Sequence, residues 1–298
     1  MKNIFIIGCG LLGSSLVRSI SKKKIAKKIF IYEKSKSHIA KIKKLRLPCT
    51  ILKSLEAGAA NSDFIIFCTP MSEYKKIILK MNKFLSPKTL ITDVGSSKIE
   101  SSNVIKKTLK KGINWIPSHP IAGSEVSGPE HGREDMFENK WCVLIRDKKT
   151  NLKQLKFLSY FWKKVGTKTV IMSSNQHDKI FSITSHLPHL IAYNLVKSAQ
   201  DFEKTLRFDL IKYSAGGLRD FSRIAASNEI MWRDIFFSNK ANVIKAIDLF
   251  IKNLKSFKKD INFKNNRSIL KKLILTKKVR SKIIKLKQDI NKPDFGRS

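Results

Sequence analysis

Short apolar runs, separated by Lys-rich amphipathic stretches, are the feature of the first half of the chain that most restricts its fold. They occupy residues 4–7, 29–32, 64–68, 90–92, 114–116, 142–145 and 169–171. Each run has the length of a strand, and strands that are apolar throughout and alternate with helices are typical of a parallel sheet covered by helices. We therefore predict an α/β domain with a mostly parallel sheet.

The pattern changes after residue 173. From Gln176 onward, apolar residues such as Ile180, Ile183 and Leu187 recur at intervals of three and four, which is the period of one helix face. We therefore predict an all-α second domain, with the first domain at residues 1–173 and the second at residues 174–298.

The chain is strongly basic, with 60 Lys+Arg against 23 Asp+Glu and a formal net charge of +37 over 298 residues. Nucleic acid, an acidic membrane surface or small anionic substrates are all compatible with such a charge. Only 11 of the basic residues are Arg, which makes most bidentate phosphate contacts, and Lys is spread along the chain. We therefore expect compositional drift rather than a nucleic-acid surface, and the 42% hydrophobic content argues against a wholly disordered basic tail.

Membrane and metal sites are not expected from the sequence. It has no apolar run of the roughly 18 residues that a membrane-spanning helix needs, and its apolar start is too short for a signal peptide. The cysteines, Cys9, Cys49, Cys68 and Cys142, are widely spaced without a metal-ligand pattern. We expect a cytoplasmic protein with reduced thiols, no metal and no membrane partner.

A glycine motif follows the first apolar run. Gly8, Gly10 and Gly13 form G-x-G-x-x-G between that run and an amphipathic stretch. The first glycine permits a tight turn, the second lets the backbone approach a pyrophosphate, and the third lets helix and strand pack closely. The helix would begin near Leu11 and Leu12, whose free backbone N–H groups would face the anion. The first domain is therefore predicted to be a Rossmann-type dinucleotide-binding domain.

The second apolar run ends at Glu33, 20 residues after the last motif glycine. An acidic side chain there would accept hydrogen bonds from an adenosine ribose, which favours NAD. The neighbouring Lys34 and Lys36 leave open a 2′-phosphate and hence NADP. Thr69 and Pro70 follow the third run, at the edge of a parallel sheet where ligands bind, and we expect them to line the cofactor site.

The segment 118–130 contains His119 among Pro, Gly and other small residues, and predicts a rigid loop that holds a His and a Glu as an acid–base pair. A histidine there suits removal of a hydroxyl proton while hydride leaves the same carbon. Ser185 and His189 are spaced to share one face of a helix start. Arg223 follows Gly216 in a segment that supplies guanidinium groups suited to carboxylates.

Together these segments resemble the prephenate and arogenate dehydrogenase family of tyrosine biosynthesis. The resemblance runs in order through nearly the whole chain. It comprises the glycine motif, Asp93-x-Gly95-Ser96-x-Lys98, the segment 119–128, His177-Asp178, and the segments 185–189, 216–225 and 231–234. It implies a helical dimerisation domain, and an NAD-dependent oxidative decarboxylation of prephenate to 4-hydroxyphenylpyruvate by a monofunctional enzyme.

The resemblance also implies roles for individual residues. His119 would accept the proton of the substrate's ring hydroxyl, and Ser96 would hydrogen-bond that hydroxyl and orient His119. Arg223 would bind a substrate carboxylate. The other implied substrate-binding residues are Ser124 and Glu125 at the entrance, Ser185 and His189 around the pocket, Asp220 and Trp232 near the helical-domain face, and Gly216, which would allow close backbone approach.

Several alternatives remain open from the sequence. One alternative is an enzyme that uses arogenate, or both arogenate and prephenate. Arogenate differs from prephenate only in having an amino-acid in place of a keto-acid side chain. A β-hydroxyacid dehydrogenase would be expected to carry a catalytic Lys in the helical half, where the segment 185–189 stands instead. A basic nucleic-acid-binding protein with a vestigial Rossmann domain is the alternative from a different class. Asn228-Glu229 departs from the Asp-Pro expected in the family.

Overall fold

A computed structural model of the chain describes residues 3–286 and Gln288. The ends of both predicted domains, residues 1–2 and 289–298, lie outside the described residues, as does residue 287. The strands are β1 Asn3–Ile7, β2 Lys28–Tyr32, β3 Thr50–Ile51, β4 Phe64–Phe67, β5 Leu90–Asp93, β6 Asn114–Trp115, β7 Ser118–Pro120, β8 Trp141–Ile145 and β9 Lys168–Met172. The helices are α1 Leu11–Lys22, α2 Lys36–Lys44, α3 Leu55–Ala60, α4 Tyr74–Met81, α5 Ile99–Thr108, α6 Leu152–Val165, α7 Ser174–Phe181, α8 Leu187–Leu206, α9 Gly216–Ile224, α10 Glu229–Ser238, α11 Lys240–Asn262 and α12 Asn266–Lys285.

The first half forms a six-stranded parallel sheet in the order β3-β2-β1-β4-β5-β6. The chain passes outward from β1 to β3 and then returns to the other side of β1 with β4. At such a reversal the connections leave on opposite faces and open a crevice at the carboxyl ends of the strands. This arrangement confirms the predicted Rossmann-type fold.

Both faces of the sheet are covered, as the uniformly apolar strands predict. Successive side chains of β1 point to opposite faces, so Ile4 and Ile6 join one core cluster while Phe5 and Ile7 join another. The first cluster includes Trp162 of α6, which is fully buried. Because an apolar core covers each side of the sheet, neither face of it is exposed to solvent, and its strands are therefore mostly apolar.

A second, three-stranded sheet, β7-β8-β9, was not distinguished from the first in the sequence. Strand β7 runs antiparallel to β8, and β8 runs parallel to β9. The predicted rigid loop around His119 is therefore wrong at that residue, because His119 pairs with Val143 inside β7. Pro120 ends the same strand, paired with Cys142, and the glycines of the segment begin only after the pairing, at Gly123.

The second half is helical, as predicted. Helix α7 starts with a capping box, in which Ser173 and Gln176 satisfy each other's backbone N–H groups. A π-helical turn, Ser182–His186, joins α7 to α8, so the segment that carries Ser185 is wider than an α-helix. Among the described helices, none is both long enough and apolar enough to cross a membrane.

Candidate active site

The glycine turn between β1 and α1 has the geometry of an anion cradle. Gly8 has φ +88°, and a Cβ there would lie 2.8 Å from the carbonyl oxygen of Cys68. A Cβ on Gly13 would lie 2.1 Å from the carbonyl oxygen of Gly8, so α1 packs directly on the turn. A Cβ on Gly10 would meet nothing within 4 Å, and no side chain caps α1 at this residue. The turn therefore leaves open space beside uncapped N–H groups, which suits a pyrophosphate.

Glu33 and Thr69 border the same turn. The Glu33 carboxylate accepts hydrogen bonds from the backbone N–H of Cys9 (2.8 Å) and Ser35 (2.9 Å). Thr69 lies against Gly8, and its buried Oγ1 has no hydrogen-bond partner. Pro70 is exposed just beyond it. A buried hydroxyl without a partner at a cradle with free space fits a bound dinucleotide.

His119 lies in β7, where its side chain leaves the sheet toward the helical half. It is 8% exposed, and its Nδ1 lies 2.8 Å from Nε2 of His177. The ring of Phe181 packs at 4.9 Å between centroids. Burial, helped by the nearby rings and by Lys98, holds the pKa of His119 well below its ordinary value. A neutral imidazole is the form that can accept a proton.

A buried ion pair lies beneath β7. Lys98 and Asp93 are both fully buried, and Nζ of Lys98 lies 2.5 Å from Oδ2 of Asp93. The same ammonium donates to the backbone carbonyl of Ser118 (2.8 Å), and Tyr74 donates its hydroxyl proton to Asp93 (2.9 Å). Because Ser118 precedes His119, this network fixes the backbone that presents the histidine.

Arg223 of α9 and Glu125, which follows β7, form an ion pair between the two halves of the chain. Nη1 of Arg223 lies 3.2 Å from Oε2 of Glu125, with the two side chains 51% and 30% exposed. The predicted acid–base pair within the segment 118–130 is therefore wrong, because its glutamates pair elsewhere: Glu125 with Arg223, and Glu130 with Lys41. A half-exposed ion pair of this kind exchanges partners at low cost.

His189 of α8 and Trp232 of α10 pack against each other in the helical half. Their rings stack at 3.8 Å between centroids, and Nδ1 of His189 donates to the backbone carbonyl of Ser185 (3.0 Å). Burial lowers the pKa of His189, and the charge of Arg223 lowers it further, which places the guanidinium near this ring. Trp232 is 5% exposed, and its indole Nε1 is buried without a partner.

The remaining predicted residues lie around these groups but are not all joined to them. Ser124 is exposed, Asp220 is half-buried on α9, and Gly216 at the start of α9 faces open space. Ser96 follows β5, with its backbone beside the ring of His186. Within the described residues no hydrogen bond joins its hydroxyl to His119, whose Nδ1 is engaged by His177 instead.

Several groups at the centre of the site received no role from the sequence. His177 and Asp178 are fully buried, and Nδ1 of His177 lies 2.7 Å from Oδ1 of Asp178. Asn239 donates to the backbone carbonyl of Asp178 (2.8 Å) and contacts Nδ1 of His186. The sequence signal for His177 and Asp178 was their place among the motifs of the family resemblance, which gave them no role.

Comparisons with known proteins identify one family over most of the chain. The model of the prephenate dehydrogenase nucleotide-binding domain matches residues 16–171, and the model of the prephenate dehydrogenase dimerization domain matches residues 173–275. A cyclohexadienyl dehydrogenase of Zymomonas mobilis is 31% identical over 86% of this chain and 87% of its own length. A prephenate dehydrogenase of Lactococcus lactis is 32% identical over 90% of this chain and 74% of its own length.

A solved structure gives the same result. The chain is similar to prephenate dehydrogenase from A. aeolicus in complex with hydroxyphenyl propionate and NAD+, with a TM-score of 0.88 and 35% identity. The similarity covers 95% of this chain and 98% of the A. aeolicus chain.

Proposed function

Because the chain belongs to the prephenate dehydrogenase family, we propose that it catalyses the NAD-dependent oxidative decarboxylation of prephenate to 4-hydroxyphenylpyruvate in tyrosine biosynthesis. The observation that carries this proposal is the position of His119. Its neutral imidazole is engaged through Nδ1, at the seam between the glycine-turn domain and the helical half. A single base at such a seam can face a cofactor from one domain and a substrate from the other.

The residues of the cradle would hold NAD, which accepts a hydride when bound. Gly8, Gly10 and Gly13 with the N–H groups of Leu11 and Leu12 would surround the pyrophosphate. Glu33 would accept from the ribose hydroxyls, with Thr69 and Pro70 lining the path toward His119. We favour NAD over NADP because the Glu33 carboxylate, which is hydrogen-bonded to the glycine turn, would repel a 2′-phosphate. The A. aeolicus complex with NAD+ supports this preference.

His119 would accept the proton of the ring hydroxyl as the carbinol carbon is oxidised, with Ser96 hydrogen-bonding that hydroxyl. The O–H bond would break as the bond from hydrogen to Nε2 forms, and the carbinol C–H bond would break with its hydrogen leaving as hydride. Loss of the ring carboxylate as carbon dioxide would then leave an aromatic phenolate, which takes up one proton to give the phenol. Arg223 would leave Glu125 to bind a substrate carboxylate bidentately. Ser124, Glu125, Ser185, His189, Gly216, Asp220 and Trp232 would shape the substrate pocket.

A second candidate is dual use of prephenate and arogenate. The Zymomonas mobilis relative, named for cyclohexadienyl dehydrogenase activity, favours it. The decisive experiment is a steady-state assay of prephenate and arogenate, each with NAD and with NADP. Turnover of prephenate with NAD at the highest kcat/KM supports the proposal, and turnover of neither substrate contradicts it. In that assay His119→Asn should lower kcat by about 10²–10⁴-fold with little change in KM.

We further propose that the domains divide at residues 1–173 and 174–298 and that the helical domain forms a homodimer. The helical half exposes large apolar side chains, of which Phe237, Ile261 and Phe263 are 69%, 67% and 71% exposed. Apolar surface of this extent is typical of an interface between subunits. Light scattering after gel filtration should give twice the chain mass of 34.1 kDa. A mass equal to one chain would contradict the dimer.

A further inference from the structure

We propose that His177 and Asp178 act as positioning residues that hold His119 in its Nδ1–H tautomer and so leave Nε2 as the proton acceptor. The three side chains form a continuous buried series, from His119 Nδ1 to His177 Nε2 (2.8 Å) and from His177 Nδ1 to Asp178 Oδ1 (2.7 Å). The inference rests on the proposed function, since it concerns the base of that reaction.

The series starts from the carboxylate of Asp178, and both of its oxygens accept hydrogen bonds from N–H groups. Oδ1 accepts from the backbone N–H of Lys98 (2.8 Å), and Oδ2 accepts from the backbone N–H of Ile99 (2.9 Å). These residues begin α5, so the positive end of a helix dipole adds to the two hydrogen bonds. Burial raises the pKa of Asp178, while the two N–H groups and the Lys98 ammonium oppose that rise. We infer an ionised, acceptor-only carboxylate.

The tautomers follow one from another. Because Asp178 only accepts, Nδ1 of His177 must carry the proton. Burial lowers the pKa of His177 to about 2, so the ring stays neutral and its Nε2 has only a lone pair to offer. His119 must then donate from Nδ1, and its own Nε2 keeps the lone pair. A neutral histidine has one donor and one acceptor nitrogen, so this series has no other assignment while Asp178 is ionised.

The arrangement also stabilises the product of proton transfer. When Nε2 of His119 accepts the substrate proton, the positive imidazolium keeps its Nδ1–H bond to His177. Asp178 then balances the charge through the His177 ring, and no second proton has to move. The ring of Phe181 lies 4.5 Å from His177 and 4.9 Å from His119 between centroids, and excludes water from this side.

The series formed by His119, His177 and Asp178 spans the two halves of the chain. His119 lies on β7 of the first domain, His177 and Asp178 lie on α7 of the second, and Asp178 docks on α5 of the first. The correct tautomer of the base therefore depends on the two domains being seated together. The buried His177–Asp178 pair therefore does more than fill space, since an apolar pair of similar size would pack in the same volume without fixing the position of a proton.

The first test is the tautomer itself, read by long-range proton–nitrogen NMR of protein labelled with ¹⁵N-histidine at pH 7.5. Spectra of His119→Asn identify the His119 signals by their loss. The expected result is a neutral His119 with a protonated Nδ1 and an unprotonated Nε2. A protonated Nε2 would overturn the proposal. No substrate is needed, so this outcome is independent of whether the protein turns over prephenate.

The second test compares variants of His177 in the prephenate assay. His177→Phe keeps a ring but removes the acceptor, and should lower kcat by about 10²-fold with KM changed less than about threefold. His177→Gln restores a carbonyl near the place of Nε2 and should recover at least about tenfold of that loss. His131→Phe, on an exposed histidine, is the matched control and should keep its kcat.

A purely structural role for His177 gives a different result. Both His177 variants would then lose kcat only in proportion to their folded fraction, so that kcat per folded molecule and KM would both stay unchanged. That pattern, or a kcat of His177→Phe within about threefold of the unmodified protein, would overturn the proposed positioning role of His177. If His177→Phe fails to fold, the NMR measurement on the unmodified protein still decides.

Discussion

Gly13→Ala tests the packing of α1 on the glycine turn. The new Cβ would lie 2.1 Å from the carbonyl oxygen of Gly8, while ordinary contact begins at 3.4 Å, so one segment must move by about 1.3 Å. The obstacle is backbone rather than a flexible side chain, and therefore cannot rotate aside. Overpacking of this kind costs about 1–3 kcal/mol, and we expect the upper end of that range.

The expected result is a loss in both stability and cofactor binding. A loss of about 3 kcal/mol in the free energy of unfolding corresponds to a melting temperature lower by roughly 6–12 °C for a domain of this size. The same movement shifts the N–H groups of Leu11 and Leu12, so the KM for NAD should rise about tenfold, or about 1.4 kcal/mol. Differential scanning calorimetry and the steady-state assay measure the two effects.

Gly10→Ala is the matched control, because its Cβ would meet nothing within 4 Å. The melting temperature should stay within about 1–2 °C of the unmodified protein, since a surface substitution changes stability by at most about 0.5 kcal/mol. The KM for NAD should still rise, because the new methyl group occupies the space assigned to the pyrophosphate. Equal melting temperatures for the two variants would refute the packing argument, and an unchanged KM in Gly10→Ala would refute the cradle.

Three further predictions concern the buried charges and the substrate contact. Lys98→Met should lower the free energy of unfolding by about 3–5 kcal/mol in urea titrations, because Asp93 is left buried without its cation; adding Asp93→Asn should recover part of the loss. Arg223→Ala should raise the substrate KM at least tenfold with a smaller change in kcat, and an unchanged KM would contradict its role as carboxylate ligand. Burial lowers the pKa of His177 to about 2 and of His186 to about 4, so the unfolded chain binds more protons below pH 6.5. The free energy of unfolding should then fall by up to about 1.4 kcal/mol per pH unit for each histidine as pH drops, and a melting temperature constant from pH 6.5 to pH 4 would contradict this.

Local sequence was sufficient to predict the glycine turn and the residues beside it. The strand β1, the turn at Gly8 and the helix α1 are neighbours in the chain, so the glycine spacing alone fixes how they meet. Glu33 could be placed as well, because a parallel strand beside β1 brings its carboxyl end to the same edge. Apolar runs and turn residues carry this kind of information directly.

The contacts around His119 could not be predicted, because they join distant segments. His119 and His177 are 58 positions apart, and their hydrogen bond depends on where α7 docks against β7. Lys98 shows the same limit: in a Lys-rich sequence it has the pattern of a surface residue, yet it is fully buried beside Asp93. Lys98 is buried rather than exposed because it is paired with a carboxylate and a carbonyl, and only the tertiary fold brings these partners to it.

Exposed charges and individually placed groups make different contributions to anion recognition in this molecule. Among the described residues the one fully buried lysine is Lys98, so the other described lysines, which supply most of the chain's excess positive charge, are at least partly exposed. Exposed charges act over about 8 Å at physiological ionic strength and cannot distinguish one dianion from another. Under the proposed function, discrimination between prephenate and other anions would therefore come from placed groups: Arg223, whose guanidinium can form two parallel hydrogen bonds, and His119, whose acceptor nitrogen we propose is set by its buried partners. The surface charge is left with a salt-sensitive effect on the rate at which anions arrive.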